Sequence, residues 1–564
     1  MTSSSARIPA STLADGVDGV DGPTPGARPS TAPGAASGPG ATALVVGAGS
    51  AGCVVARRLV DAGVAVTLLE AGGEDHNPAI HDLSRMGELW HGPEDWDYYT
   101  VGMEGTAGQP MHLPRGKVLG GSHALNATIW VRGAPSDFDG WAVDCGPDWS
   151  WEQVLPIYRA LEDSSSGADE LRGTGGPLVV DGDYPLEPIH RAIVEAAVES
   201  GVPYNSDYNG ETLDGVSQQQ VTIRDGERAN TWKAHLQPVR DRLRILTGAH
   251  VHSVIVEDGA AVGVRLGKNG EERELRADQV VLCAGALDSP QILLRSGLGP
   301  AEELREAGVD VVRDMPGVGK NLHDHLLAPV IGVSTSREVD PPRPGVSVTQ
   351  THLFARSRPD LTVPDTQPIF FAVPMYSPGM EEVEGTAFTL HSGLVAPRSR
   401  GEITLSGPGL EDPARIDLAA LSDPADVEAL LFSLRQCRDI LAQPALAEGW
   451  GATEVHPGPE VTEEGELIDY IRRCAVTYHH QVGTCRMGVD DGAVVDPRLR
   501  VRGLDGLRVV DASIMPTITT GNTNAPTIMI GEQGARFIRE DLGLGRTAVR
   551  SGPADRRAGV APTG

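Results

Sequence analysis

One imidazole and one amide far along the chain offer the chemistry of an oxidation. His480 lies in Tyr478-His479-His480-Gln481-Val482-Gly483-Thr484-Cys485, and Asn522 lies in Gly521-Asn522-Thr523-Asn524-Ala525-Pro526. Imidazole titrates near working pH and takes a proton from a hydroxyl. An amide cannot act as a base, but its N–H groups hold an oxygen on which negative charge develops. A glycine turn far upstream is suited to a dinucleotide. Base, amide and redox cofactor together meet the needs of alcohol oxidation, because hydride leaves carbon readily only when the hydroxyl proton has somewhere to go.

The elements that must position these groups begin at Ala41. An apolar run at 43–46 suits a buried parallel strand, Gly47-Ala48-Gly49-Ser50-Ala51-Gly52 follows, and 53–60 has helical apolar spacing. A second strand at 65–69 ends in Glu70. Gly47 permits the tight turn, Gly49 lets a pyrophosphate approach the backbone, Gly52 lets helix pack on strand, and Glu70 accepts hydrogen bonds from a ribose. An acid at that place disfavours the 2′-phosphate of NADP.

Composition bounds the rest. The 564 residues carry a formal net charge of −30, which argues against nucleic acid and anionic membrane as partners. Of the cysteines, Cys53, Cys145, Cys283, Cys437, Cys474 and Cys485, none forms a CxxC pair, which fits a reduced, cytoplasmic setting. Cys474 and Cys485 leave a redox pair open beside the favoured reading of two packed thiols. Residues 1–40 and 545–564 read as loose tails, with no recognisable export signal and no transmembrane segment.

Further motifs are Arg115-Gly116-Lys117-Val118-Leu119-Gly120-Gly121-Ser122-His123-Ala124-Leu125-Asn126-Ala127, a stretch from Gly285 to Gly297 after an apolar strand, and Pro316-Gly317-Val318-Gly319-Lys320-Asn321-Leu322-His323-Asp324-His325. With the opening turn and the His480 region, these resemble the glucose–methanol–choline (GMC) family of FAD-dependent oxidoreductases, in the family's order over roughly 41–538. Asp511-Ala512-Ser513-Ile514-Met515-Pro516 followed by Asn522-Thr523-Asn524 is closest to choline dehydrogenase-like and hydroxymethylfurfural oxidase-like members.

The resemblance implies oxidation of an alcohol, a primary one in our reading, to an aldehyde or ketone by hydride transfer to flavin N5. His480 would be the base and Asn522 would hold the substrate oxygen at a position where other members carry His or Asn. The electrons would go to oxygen or another acceptor. FAD contacts are expected at Gly47, Gly49, Ser50, Ala51, Gly52 and Glu70, at Val118, Gly121, Ser122, Asn126 and Ala127, and at Val251. Others are expected at His479, Asp511, Ala512, Asn522 and Thr523. Some members attach FAD covalently through a His; the matching position here is Leu125, so non-covalent FAD is expected, although His123 stands nearby where relatives commonly have Ser. His479, alternating with His480 in extended chain, would point elsewhere and pack near the flavin. No metal is expected, and His323 and His325 read as a turn pair. A lyase retaining structural FAD and a non-catalytic flavin-binding protein are the competing functions.

The implied fold class is α/β (α+β) with two domains. A Rossmann-like FAD domain would assemble from the discontinuous segments 41–160, 225–325 and 475–541, and a substrate domain with an antiparallel sheet from 161–224 and 326–474. Strand signals at 244–247, 252–257, 262–266, 280–283 and 507–510 would extend the cofactor domain. Those at 368–373, 387–390 and 402–405 read as a meander over the pocket. Pro526 is expected to open a helix over 527–538.

Overall fold

The apolar run after Ala41 becomes the middle of a five-stranded parallel sheet. In the computed structural model, which describes residues 40–268 and 271–545, strand Thr42–Val46 lies between Ala65–Leu69 and Gln279–Leu282. Arg244–Leu246 and Leu507–Val509 form the edges. The inner strands are buried on both faces, which is why they read as continuous apolar runs without alternation. Helix Ser50–Asp61 packs closely on helix Asn524–Asp541 through small residues: a Cβ on Gly531 would stand 3.0 Å from the carbonyl oxygen of Ala51. The expected tails at 1–40 and 545–564 fall outside the described residues but for Gly40 and Gly545.

The two strands over 250–268 stay apart from this sheet. His250–Glu257 and Ala260–Lys268 pair with each other and with Glu271–Arg276 in a separate three-stranded antiparallel sheet. The cause is local: Asp258 and Gly259 both take positive φ (50° and 80°), the two-residue hairpin geometry, whereas parallel neighbours need a long crossover.

A second large sheet has seven strands and is antiparallel at every pairing. Its centre is Leu326–Ser334 against Thr386–Leu394, continued by Ile369–Phe371, Thr349–Phe354 and Gly215–Gln218. Ala452–His456 and the short Val476–Thr477 flank Leu326–Ser334 on its other side. The last of these delivers the chain to His480. The expected strand at 402–405 is not part of this meander: Glu402–Thr404 pairs with Arg415–Asp417 as a separate ribbon. Helix Pro424–Leu441, N-capped by Asp423, packs on the sheet and buries Leu430, Leu434 and Ile440 completely.

Candidate active site

A cavity of about 560 Å³ opens at the carboxyl ends of the parallel strands and continues beneath the antiparallel sheet. Ligands of parallel α/β sheets bind at such an end because the helix N-termini converge there. Val46, Leu69 and Cys283 close the strand side, while Leu327, Ile369 and Phe371 come from the antiparallel sheet. Gly47 holds φ +99°, and a Cβ there would lie 2.4 Å from the carbonyl oxygen of Cys283, so this turn admits glycine alone. Gly121, at φ +53°, faces Gly49 so closely that its Cβ would lie 2.6 Å from the Gly49 Cα. Two loops thus cross at the cavity with bare backbone.

The donor set fits an anionic dinucleotide. No side chain caps the N-terminus of helix Ser50–Asp61, and Gly49, Ser50 and Ala51 line the cavity, leaving first-turn N–H groups for a pyrophosphate. Helix Asn524–Asp541 also lacks a side-chain cap, and Asn522, Thr523 and Asn524 line the same cavity. Glu70 accepts from the backbone N–H of Ala48 at 2.9 Å and Gly72 at 2.8 Å, which fixes its carboxylate on the wall. Burial, against those two bonds, pushes its carboxyl up to about 7.

His480 is set by a buried carboxylate. Asp324 accepts from the His480 backbone N–H at 2.8 Å and from the side chains of Thr477 and Gln481. Burial raises the Asp324 carboxyl to about 6 while these bonds pull it down. The imidazole stacks on Tyr478, with centroids 4.6 Å apart. Its Nε2 is 3.2 Å from Nδ2 of Asn522, and its Nδ1 is 3.0 Å from Nδ1 of His325. Asn522 Oδ1 accepts from Gln367 Nε2 at 3.1 Å, which turns the amide so that Nδ2 faces His480. Nε2 must therefore accept, so the ring proton sits on Nδ1 and points at the Nδ1 lone pair of His325. Burial first, then His325, His479 and Arg115, hold His480 well below the ordinary histidine range. It is a neutral imidazole.

Most residues expected at the cofactor do line this cavity: Gly47, Gly49, Ser50, Ala51 and Glu70; Gly121, Ser122, Asn126 and Ala127; and Val251, His479, Asp511, Ala512, Asn522 and Thr523. Two do not. Val118 packs with Ile80, Leu89 and Leu125 in a small apolar cluster, and Gly52 sits behind the turn, where a Cβ would meet the Gly47 carbonyl at 1.9 Å. His479 departs from expectation too. Its φ of +67° breaks the strand alternation, so both neighbouring histidines face the cavity, with His479 edge-on to Trp90 at 5.3 Å. Pro526 is the third residue of its helix, still within the first turn, where its missing N–H costs nothing. His325, read as a turn residue, is instead the ring partner of His480; only its place in the family segment marked it, because the contact spans 155 positions. Gln367 gave no signal in the sequence. All six cysteines are free and buried.

A glycine-lined dinucleotide cavity that ends on a neutral histidine and an oriented amide defines a dinucleotide-dependent oxidoreductase. Family models described as GMC oxidoreductase match residues 41–327 and 397–531. An alcohol dehydrogenase [acceptor] of Pseudomonas putida is 38% identical, covering 88% of this chain and 95% of its own. An oxygen-dependent choline dehydrogenase of Vibrio vulnificus is 36% identical, covering 88% and 93%. The solved structure of a pyridoxine 4-oxidase from Mesorbium loti superposes with a TM-score of 0.85 at 36% identity, covering 89% of this chain and 99% of that one. The chain belongs to the GMC oxidoreductase family, and its cofactor is FAD.

Proposed function

We propose that this protein oxidises a primary alcohol to an aldehyde, with His480 as base and Asn522 as the holder of the substrate oxygen. The observation that carries this reading is the 3.2 Å approach of His480 Nε2 and Asn522 Nδ2 on the wall of the cavity that runs back to the Gly47 turn. A substrate hydroxyl entering between them accepts from the Asn522 N–H and presents its own proton to Nε2. As the proton moves, the His480 ring becomes an imidazolium whose Nδ1–H already has the His325 lone pair as acceptor. Asn522 meanwhile strengthens its bond to the oxygen that gains negative charge. Bound FAD would supply the two-electron acceptor for the hydride, with oxygen or another acceptor to take its electrons.

The cofactor is held without a covalent bond, by the Gly47–Gly52 turn, Glu70 and the 121–127 loop. His123 supports this: its Nε2 lies 3.3 Å from the Thr222 hydroxyl, its Nδ1 accepts from the Thr231 N–H at 3.3 Å, and the ring stays off the cavity wall. Leu125 lines the cavity at the neighbouring place and has no nucleophile. Segments 41–160, 225–325 and 475–541 form the cofactor part, and 161–224 with 326–474 the substrate part. The parallel sheet falls wholly in the first set of segments, and the seven-stranded sheet in the second but for Val476–Thr477, which joins it from the cofactor part.

Purified protein is expected to be yellow and to release all its flavin into the supernatant on acid precipitation. His480→Ala is expected to keep FAD and slow anaerobic flavin reduction by ~10²-fold or more, the usual contribution of a positioned base. Flavin reduction at the unaltered rate in that variant would remove His480 from the role.

A further inference from the structure

At the mouth of the cavity, outside the catalytic pair, two imidazoles and two carboxylates converge. His91 Nδ1 is 2.7 Å from Asp97 Oδ1, and His112 Nε2 is 3.1 Å from that same oxygen. His112 Nε2 is also 3.1 Å from Asp95 Oδ2. The ligand atoms of His91, Asp97 and His112 all lie within 4.8 Å of one another. We propose that His91, Asp97 and His112 form a site for a divalent transition ion of the zinc type, with Asp95 as its supporting carboxylate.

Three features point that way. The first is spacing. Metal–ligand bonds of about 2.1 Å place adjacent ligand atoms roughly 3.0 Å apart in an octahedron and roughly 3.4 Å in a tetrahedron. The observed separations of 2.7 and 3.1 Å sit near those edges, so an ion needs only a small outward movement of the side chains. The second is charge. Asp97 has no Lys or Arg partner among the described ion pairs, only the two imidazoles, so a cation between them would have a counter-charge that no guanidinium already satisfies. Two nitrogens and one carboxylate are also the donor set that such ions take, with open positions left for water.

The third is support from behind. Asp95 has a completely buried side chain, and it accepts the backbone N–H groups of His91, Asp97 and Arg115 at 3.1, 3.0 and 2.9 Å. One fixed carboxylate therefore organises the loop that carries two ligands and the strand end that leads from the third. Its Oδ2 also lies 3.1 Å from His112 Nε2, the nitrogen that would ligate, so Asp95 stands beside the ion's place as a further oxygen. His91 and His112 are stacked, with centroids 4.0 Å apart, so both rings face one small volume. Both also line the cavity, while His91 and Asp97 are about half exposed, which leaves an entry path for the ion. Trp90 touches the rings of both His112 and His479, so an ion here would steady the wall beside the catalytic histidine.

The test is calorimetric titration of Zn²⁺ into the untagged, EDTA-treated, flavin-loaded protein, repeated for H91A, D97A and H112Q. One saturable site is expected, weakened at least ten-fold by each substitution with flavin content unchanged. Cu²⁺ bound to the same protein should show an EPR spectrum with two nitrogen ligands, falling to one in H112Q. Absence of saturable binding, or binding that all three variants retain, would overturn the assignment and leave the cluster as an ion-pair network.

Discussion

A histidine is a base at Nε2 only while its proton is kept on Nδ1, and here three side chains enforce that. Gln367 orients Asn522, Asn522 presents N–H to Nε2, and His325 offers a lone pair to Nδ1–H. Burial makes the neutral ring the resting form. The protonated form should therefore appear only below the ordinary value of about 6.5, and the rate of flavin reduction should be flat through neutral pH and fall only in acid. Asn522→Ala is expected to lower that rate less than His480→Ala and to leave its pH dependence in place, because Asn522 moves no proton. Asn522→His should retain appreciable activity. His325→Asn, whose side-chain oxygen accepts much as Nδ1 does, should retain more activity than His325→Ala. Rates across pH for the wild type and the five variants decide it; equal loss in both His325 variants would show that the acceptor is not what matters. His480 and Asn522 were legible because their motifs are short and local. Gln367 and the His325 contact were not, since each depends on a pairing of distant segments that no local spacing announces.

Among the elements, the glycine loops do what no other residue type permits. Gly121 combines φ +53° with a Cβ position 2.6 Å from the Gly49 Cα, so Gly121→Ala must either strain the backbone or push the two loops apart. FAD affinity is expected to fall at least ten-fold, read by flavin retained on dialysis against the wild-type protein; full retention would mean that the crossing is not part of the cradle. The strands of the parallel sheet were legible from unbroken apolar runs between glycine turns, such as that over Thr42–Val46. The sheet to which each strand belongs was less so. His250–Glu257 carries an apolar triplet at Val254–Val256, and the left-handed pair Asp258–Gly259 commits it to a hairpin with Ala260–Lys268. The face of His479 was misjudged for a related reason: period-two alternation assumes extended backbone, and one residue at φ +67° cancels it.

Across the whole molecule, burial holds ten histidines neutral. Burial lowers seven, His123, His190, His235, His325, His352, His391 and His479, to about 3. It lowers His250 to about 4 and holds His323 and His480 well below their usual value. In the unfolded chain each titrates near 6.5. A depressed folded value means that the stabilisation is present above that pH and is lost as pH falls, because the unfolded state then binds protons that the folded state refuses. Buried carboxyls act the other way. Burial raises Glu70 to about 7, raises Asp137, Asp288 and Asp324 to about 6, and raises Asp511 as well. Their contribution is complete below about 4 and is lost as pH rises through those values. Ten imidazoles outnumber five carboxyls, so between about pH 6.5 and 4 the unfolded chain takes up more protons, and each excess proton costs about 1.4 kcal/mol per pH unit. The formal net charge of −30 pulls the opposite way, since acidification relieves self-repulsion, but surface charge is screened by salt and buried imidazoles are not. Thermal unfolding of the flavin-loaded protein in 0.3 M salt, followed from pH 7.5 down to 5, should therefore show a melting temperature that drops steadily once pH passes below about 6.5. A melting temperature that holds or rises on acidification would show that the buried carboxyls and the relief of self-repulsion outweigh the histidines.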